Sequence, residues 1–127
     1  MTPIRILYVE DNEALLETIG ALLEASDREV VLCSSGEEAV TLWAEQPFDV
    51  LITDVSLPGI SGTALARRIL SDAPRQWVVL CSGYAFPGGL ASLGPNVRAL
   101  LKPFEMDELD RLMDEIRSDL RGAPSAG

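Results

Sequence analysis

Five polar side chains stand where apolar runs of this 127-residue sequence break off, and their types could together handle a phosphoryl group. Glu10 and Asp11 follow the run 4–9, Asp54 ends the run that begins at Val50, Ser82 follows 77–81, and Lys102 follows 97–101. Three carboxylates brought together repel one another, and a divalent cation is the simplest remedy. With no histidine in the chain and no cysteine among these five, an all-oxygen set selects Mg²⁺, Mn²⁺ or Ca²⁺ over zinc or copper. Mg²⁺ suits best, because it keeps several waters and binds through few carboxylates plus a phosphate oxygen. Lys102 offers a movable point charge for phosphoryl oxygens, and Ser82 adds a hydroxyl where backbone amides are also at hand. Asp54 can attack as a nucleophile and form an acyl phosphate. The cation and Lys102 would then neutralise charge developing on the equatorial oxygens.

Taken singly, each residue has a plainer reading. An acidic pair after a strand usually opens a helix, Ser82-Gly83 is usually a turn, a lone lysine is usually surface, and Asp54 could cap its turn through an Asx bond. Only an architecture that brings the ends of separate runs together makes them a site. Val50-Leu51-Ile52 lacks polar alternation, as a parallel strand covered on both faces does. Pro58-Gly59 signals a turn soon after it. A carboxylate at the C-terminal end of such a strand lies where open α/β sheets form their crevices.

The other runs supply that architecture. Strands are predicted at 4–9, 29–33, 50–54, 77–81 and 97–101. Between them Leu15, Leu16, Ile19, Leu22 and Leu23 recur at helical spacing from about Asn12, with Asp11 or Asn12 as the cap. Ser34-Ser35-Gly36 breaks the second strand, and Glu37 and Glu38 open a helix whose inward face is Ala39, Val40 and Trp43. A third helix spans about 61–72, with Leu65 and Ile69 inward. The stretch 84–96 is crowded by Pro87, Gly88, Gly89, Gly94 and Pro95, so only a short or irregular helix is expected, around 90–93. Leu109, Leu112, Met113, Ile116 and Leu120 mark a closing helix from about Met106. Five strands alternating with five helices predict a doubly wound (βα)5 α/β domain, a five-stranded parallel sheet between two helical layers. The domain is expected over residues 1–121, with 122–127 a flexible tail or the start of a linker.

Composition narrows the function classes. Twenty acids against ten bases give a net charge of −10, which disfavours direct binding to nucleic acid or anionic membranes. Cys33 and Cys81 each lie in an apolar run and read as buried, reduced thiols. Neither a secretory h-region nor an apolar run long enough to cross a bilayer is present, and a cytoplasmic location is expected. Trp43 reads as packing, Trp77 as half exposed, and Phe104 as buried against the last helix, positioning Lys102. Arg111 is placed to form weak ion pairs with Glu108 and Glu115.

Over nearly its whole length the sequence resembles the CheY-like receiver domains of bacterial two-component response regulators. The resemblance rests on residues 6–12 (ILYVEDN), 49–62 (DVLITDVSLPGISG), 79–84 (VLCSGY) and 100–104 (LLKPF), in that order and spacing. It implies the strand order 2-1-3-4-5, that Asp54 is the phosphoacceptor and that Asp11, Asp54 and the Ser56 carbonyl hold Mg²⁺, with Glu10 acting partly through water. Ser82 would be the hydroxyl that closes on the phosphoryl group, Lys102 the family's lysine, and Lys102-Pro103 a cis peptide. The donor would be a phosphohistidine on a sensor histidine kinase or a histidine phosphotransfer protein, and the product a conformational switch in a monomer or a weak phosphorylation-dependent dimer. Ser56 and Tyr84 occupy the positions that tune hydrolysis in the family, with Tyr84 a candidate shield for the acyl phosphate, giving modest self-dephosphorylation. The Ser-Gly-Tyr form also resembles receivers fused to hybrid kinases. One position departs from the pattern: Ala99 stands where members commonly carry Tyr or Phe, and a methyl group cannot fill an aromatic's pocket.

Two other functions fit parts of this pattern. A receiver-like scaffold could bind a kinase without being switched by phosphorylation, which Ala99 would favour. A Mg²⁺-dependent phosphatase could use the same sheet, but usually needs a further acid–base carboxylate and a cap segment that the chain lacks.

Overall fold

The structure, a computed structural model, describes residues 3–120 apart from 85, 87, 88 and 91. Five strands form one parallel sheet: β1 (Ile4–Val9), β2 (Arg28–Cys33), β3 (Val50–Asp54), β4 (Trp77–Ser82) and β5 (Val97–Leu101). The helices are α1 (Glu13–Leu23), α2 (Gly36–Glu45), α3 (Gly62–Asp72) and α4 (Met106–Leu120). Every residue of β3 is buried, as its unbroken apolar character requires of a strand covered on both faces.

Strand residues alternate between two cores. Ile6, Tyr8, Ile52 and Val79 face one side, with Leu23 of α1 and Leu109, Met113 and Ile116 of α4. Leu7, Val9, Leu51 and Leu80 face the other, with Ala39 of α2 and Leu65, Ala66 and Ile69 of α3. The sheet is therefore the middle of three layers, in the order β2-β1-β3-β4-β5. Because β1 pairs with both β2 and β3, the chain reverses its direction of winding there. The loops leaving β1 and β3 then diverge to opposite faces and leave a crevice between them.

Each of the first three helices starts on a side-chain cap. Asn12, Ser35 and Ser61 accept from the amides of Leu15, Glu38 and Ala64, each at 3.1 Å. Such caps satisfy amides that a helix start leaves without partners. With Asn12 as the cap of α1, Asp11 is left available at the end of β1.

Several expectations need correction. Leu15 and Leu22 stand 41% and 47% exposed, so the inward stripe of α1 is Leu16, Ile19 and Leu23, with Gly20 set against the Leu32 side chain of β2. Trp77 is buried: its indole N–H donates to Asp119 Oδ2 at 2.7 Å, and the Arg98 guanidinium lies 4.9 Å from its ring. Arg98 also takes the partner expected for Arg111, bonding Glu115 at 2.9 Å, while Glu108 accepts from the Glu105 amide. Between β4 and β5 the described residues form turns and no helix, with Gly89 N–H bonded to Phe86 O and Leu93 N–H to Leu90 O. Ala91, within the short helix expected there, and the tail 122–127 lie outside the described residues.

Both cysteines are free and buried. Burial pushes each thiol up to about 12, so neither supplies thiolate near neutrality. A disulfide reagent at pH 8 is expected to find no fast-reacting thiol in the native protein and two after denaturation, measured by the released chromophore.

Candidate functional site

The parallel register carries the strand ends to one level. Val9 pairs with Thr53, and Asp54 pairs with Cys81, so Glu10 follows directly beside Asp54 while Ser82 lies one step beyond it. Ser82 pairs with Leu101, which places Lys102 one step further. The amide of Lys102 donates to the Ser82 carbonyl at 2.7 Å, tying these two ends together. The peptide between Lys102 and Pro103 is cis, in agreement with the expectation.

Glu10, Asp11 and Asp54 meet at this end, each offering a carboxylate oxygen within 4.8 Å of the others. Glu10 and Asp54 are buried and Asp11 is exposed. The Lys102 ammonium contacts Asp54 Oδ1 directly and lies 3.5 Å from Glu10 Oε1. Glu10 also accepts the Asn12 amide through Oε2 at 3.1 Å. One cation against three carboxylates leaves an excess of negative charge in a half-enclosed crevice. The donor set is hard oxygen only, which matches Mg²⁺ and not a thiophilic metal.

The remaining expected residues stand less directly on the cluster. Ser82 is partly buried, and its Oγ accepts the Tyr84 amide at 3.0 Å. Tyr84 is 82% exposed, so in this conformation it does not cover the crevice. Ser56 is exposed on the loop that leaves β3. Ala99 is exposed on β5, and its neighbour on that face, Leu101, is 49% exposed.

Burial is the main influence on Glu10, raising its carboxyl above the usual range; the charges of Asp54 and a contact with Asp11 add to this, while the Asn12 amide and Lys102 oppose it. Lys102 loses some basicity to burial but gains more from Asp54 and Glu10, and ends above the ordinary lysine value. For Glu10 the native state holds its proton more tightly than the unfolded chain. Its contribution to stability therefore falls as pH rises from about 4 through the raised native value. In metal-free buffer, Glu10→Gln is expected to flatten that part of the pH profile and to raise stability at pH 7, checked by urea unfolding at several pH values.

Two features were not found from sequence. Tyr8, Leu15, Ile19, Pro103 and Phe104 line a cavity of about 430 Å³ that reaches Glu10 and Lys102. Burial also holds the Tyr8 phenol protonated well above its usual range. The second is Gly62, whose backbone packs directly on the Asp54 carbonyl. An aromatic within an apolar run carries no signal for the first. The second was visible only as a glycine at a helix start.

A doubly wound parallel sheet with a lysine and three carboxylates at its switch point defines a class: flavodoxin-like domains with an acidic, cation-adapted crevice. The chain belongs to the response regulator receiver domain family, whose pattern matches residues 6–114. It is 46% identical over 122 residues to the virulence sensor protein BvgS of Bordetella pertussis, covering 88% of this chain and 10% of that protein. It is 33% identical over 127 residues to the signal transduction histidine-protein kinase BarA of Escherichia coli, covering 96% and 13%. The chain thus spans about a tenth of the length of these curated relatives. Among solved structures, it is similar to the receiver domain of sensor histidine kinase PA1611 from Pseudomonas aeruginosa, with a TM-score of 0.77 and 29% identity over 92% of this chain and all of that one. That structure holds a magnesium ion coordinated in the active site cleft.

Proposed function

We propose that this receiver domain of two-component signalling accepts a phosphoryl group on Asp54 in a Mg²⁺-dependent reaction and changes partner affinity as a result. The observation that carries the reading is the Lys102 ammonium seated on a buried Asp54 inside the carboxylate trio. A lysine there both orients the carboxylate and offers charge to the incoming phosphoryl oxygens. Asp54 attacks phosphorus with one carboxylate oxygen. The P–N bond of a phosphohistidine breaks, and its electron pair leaves with the imidazole nitrogen. The donor imidazole comes from a histidine kinase or phosphotransfer protein, since this chain has no histidine. Glu10, Asp11 and Asp54, with the Ser56 carbonyl, would hold Mg²⁺, which supplies charge neutralisation when bound. Ser82 would turn its hydroxyl from the Tyr84 amide to the acylated Asp54. The exposed Leu15, beside the apolar cavity that reaches Glu10 and Lys102, gives a donor protein a non-polar foothold close to Asp54.

A second reading has its own support. Ser82 is engaged with the Tyr84 amide, and Ala99 leaves the switch position without an aromatic. Both features fit a scaffold that binds a kinase and is not switched. Incubation with Mg²⁺ and a small acyl phosphate or phosphoramidate, followed by intact mass, separates the two. A single phosphoryl adduct that needs Mg²⁺ supports the acceptor. No adduct supports the scaffold. Continuous hydrolysis of varied phosphate esters would favour a phosphatase instead.

A further inference from the structure

The loop from β3 to α3 carries Ser56 and is closed at both ends. At its base Val55 accepts the Gly62 amide at 2.9 Å, and Val55 N–H donates to Cys81 O at 3.0 Å. At its tip a side chain 23 positions earlier in the sequence holds it: Glu37 Oε2 accepts the Ile60 amide at 3.0 Å. The same carboxylate lies against Gly59, where a Cβ would fall 2.4 Å from Oε2, and Gly59 has φ of +73°. Gly36 meets the loop as well, since a Cβ there would lie 2.7 Å from the Ile60 carbonyl oxygen. The start of α2 and the tip of the loop are thus in backbone-to-backbone approach.

Adjacent acids divide the work at this helix start. Glu38 closes the cap: its amide donates to Ser35 Oγ, and its carboxylate accepts the Ser34 amide at 3.1 Å. Glu37 takes no part in that cap and reaches across to the loop. A carboxylate accepting a backbone amide is a charge-assisted bond, stronger than a neutral one. It fixes the tip of a loop whose base is held by backbone bonds and whose Leu57 is buried in the core.

We propose that Glu37 is a positioning residue for the phosphoacceptor site, clamping the β3–α3 loop so that the Ser56 carbonyl stays beside Asp54 for the divalent ion. This rests on the reading of Asp54 and its neighbours as a Mg²⁺ site. Outer groups that orient ligands commonly alter metal affinity by about tenfold or more when removed. Glu37 itself binds neither metal nor substrate.

The test compares wild type, Glu37→Ala and Glu37→Gln in two measurements. Amide hydrogen exchange at Ile60 in metal-free protein reads the clamp, and calorimetric titration with MgCl₂ reads its consequence. Glu37→Ala is expected to speed Ile60 exchange and to weaken Mg²⁺ binding by about tenfold. Glu37→Gln, whose amide oxygen can still accept, is expected to keep both within about threefold of wild type. Unchanged Ile60 exchange in Glu37→Ala would overturn the clamp, whatever the metal result. Equal Mg²⁺ affinities in all three proteins would overturn the positioning role alone. If Glu37→Gln lost as much affinity as Glu37→Ala, the effect would be one of charge and the role would again fall. A wild-type protein that takes up no Mg²⁺ would overturn the underlying reading of the site and the role with it.

Discussion

Asp54→Asn is expected to take up no phosphoryl group under conditions in which the wild-type chain gains one. Asparagine has nearly the same shape, and its amide oxygen can still accept from Lys102. What it loses is nucleophilicity, because the amide oxygen cannot form a stable acyl phosphate. The contrast isolates chemistry from fold, provided the variant unfolds cooperatively near the wild-type midpoint. A second consequence follows from the charges. Asp54 is one of the groups that raise Glu10 and Lys102, so its neutralisation relieves repulsion on Glu10 and takes away the negative charge nearest Lys102. Mg²⁺ affinity should fall as well, since one of three carboxylates is gone. Intact mass after acyl phosphate treatment reads the first effect and calorimetry the second. A phosphoryl adduct persisting at wild-type yield in Asp54→Asn would place the chemistry elsewhere and remove the basis of the proposal.

The sequence carried the elements that set the crevice, because burial on both faces leaves an unmistakable pattern. Val50-Leu51-Ile52 reads as a covered strand and is one, and the polar residues that end each run do arrive together in Glu10, Asp11, Asp54 and Lys102. Local chemistry was legible in part: Asn12, one of two candidate caps, does cap its helix, while Ser35 and Ser61 read only as a strand break and a helix start and also prove to be caps. What stayed hidden were contacts decided by tertiary packing. Periodicity put Leu15 and Leu22 in one stripe with Leu16 and Leu23, but the width of the face that the sheet covers excludes both. Trp77 follows polar residues and reads as half exposed, yet Asp119 and Arg98, far along the chain, come to cover it. The bond from Ile60 to Glu37 spans separate elements and has no local signature at all. Ser82 was expected from its place at the end of β4, while the orientation of its hydroxyl depends on the Tyr84 amide two residues on.

Gly62→Ala is expected to be among the most damaging single substitutions in the chain. A Cβ at this position would lie 2.0 Å from the Asp54 carbonyl oxygen and 2.9 Å from the Val55 Cα. Both are backbone atoms, so no side-chain rotation relieves the clash, and the remedy is to move α3 or the end of β3. Neither moves freely. Ser61 caps α3 at 3.1 Å, Leu65, Ala66 and Ile69 pack the helix into the core, and β3 is bonded on both sides. Overpacking in a well-filled interior typically costs about 1–3 kcal/mol, and a clash of backbone against backbone belongs at or above the top of that range. Because the displaced atoms belong to Asp54 itself, the site should suffer beyond the loss of stability. At a temperature where the variant remains folded, its rate of phosphorylation by an acyl phosphate should fall at least tenfold, since misplacement of about 1 Å can cost a hundredfold. Gly83→Ala is the control, for a Cβ there meets nothing within 4 Å. Thermal unfolding and intact-mass time courses on the two variants read both effects. Matching behaviour of Gly62→Ala and Gly83→Ala would mean that the contact between α3 and the Asp54 carbonyl does not hold the acceptor in place.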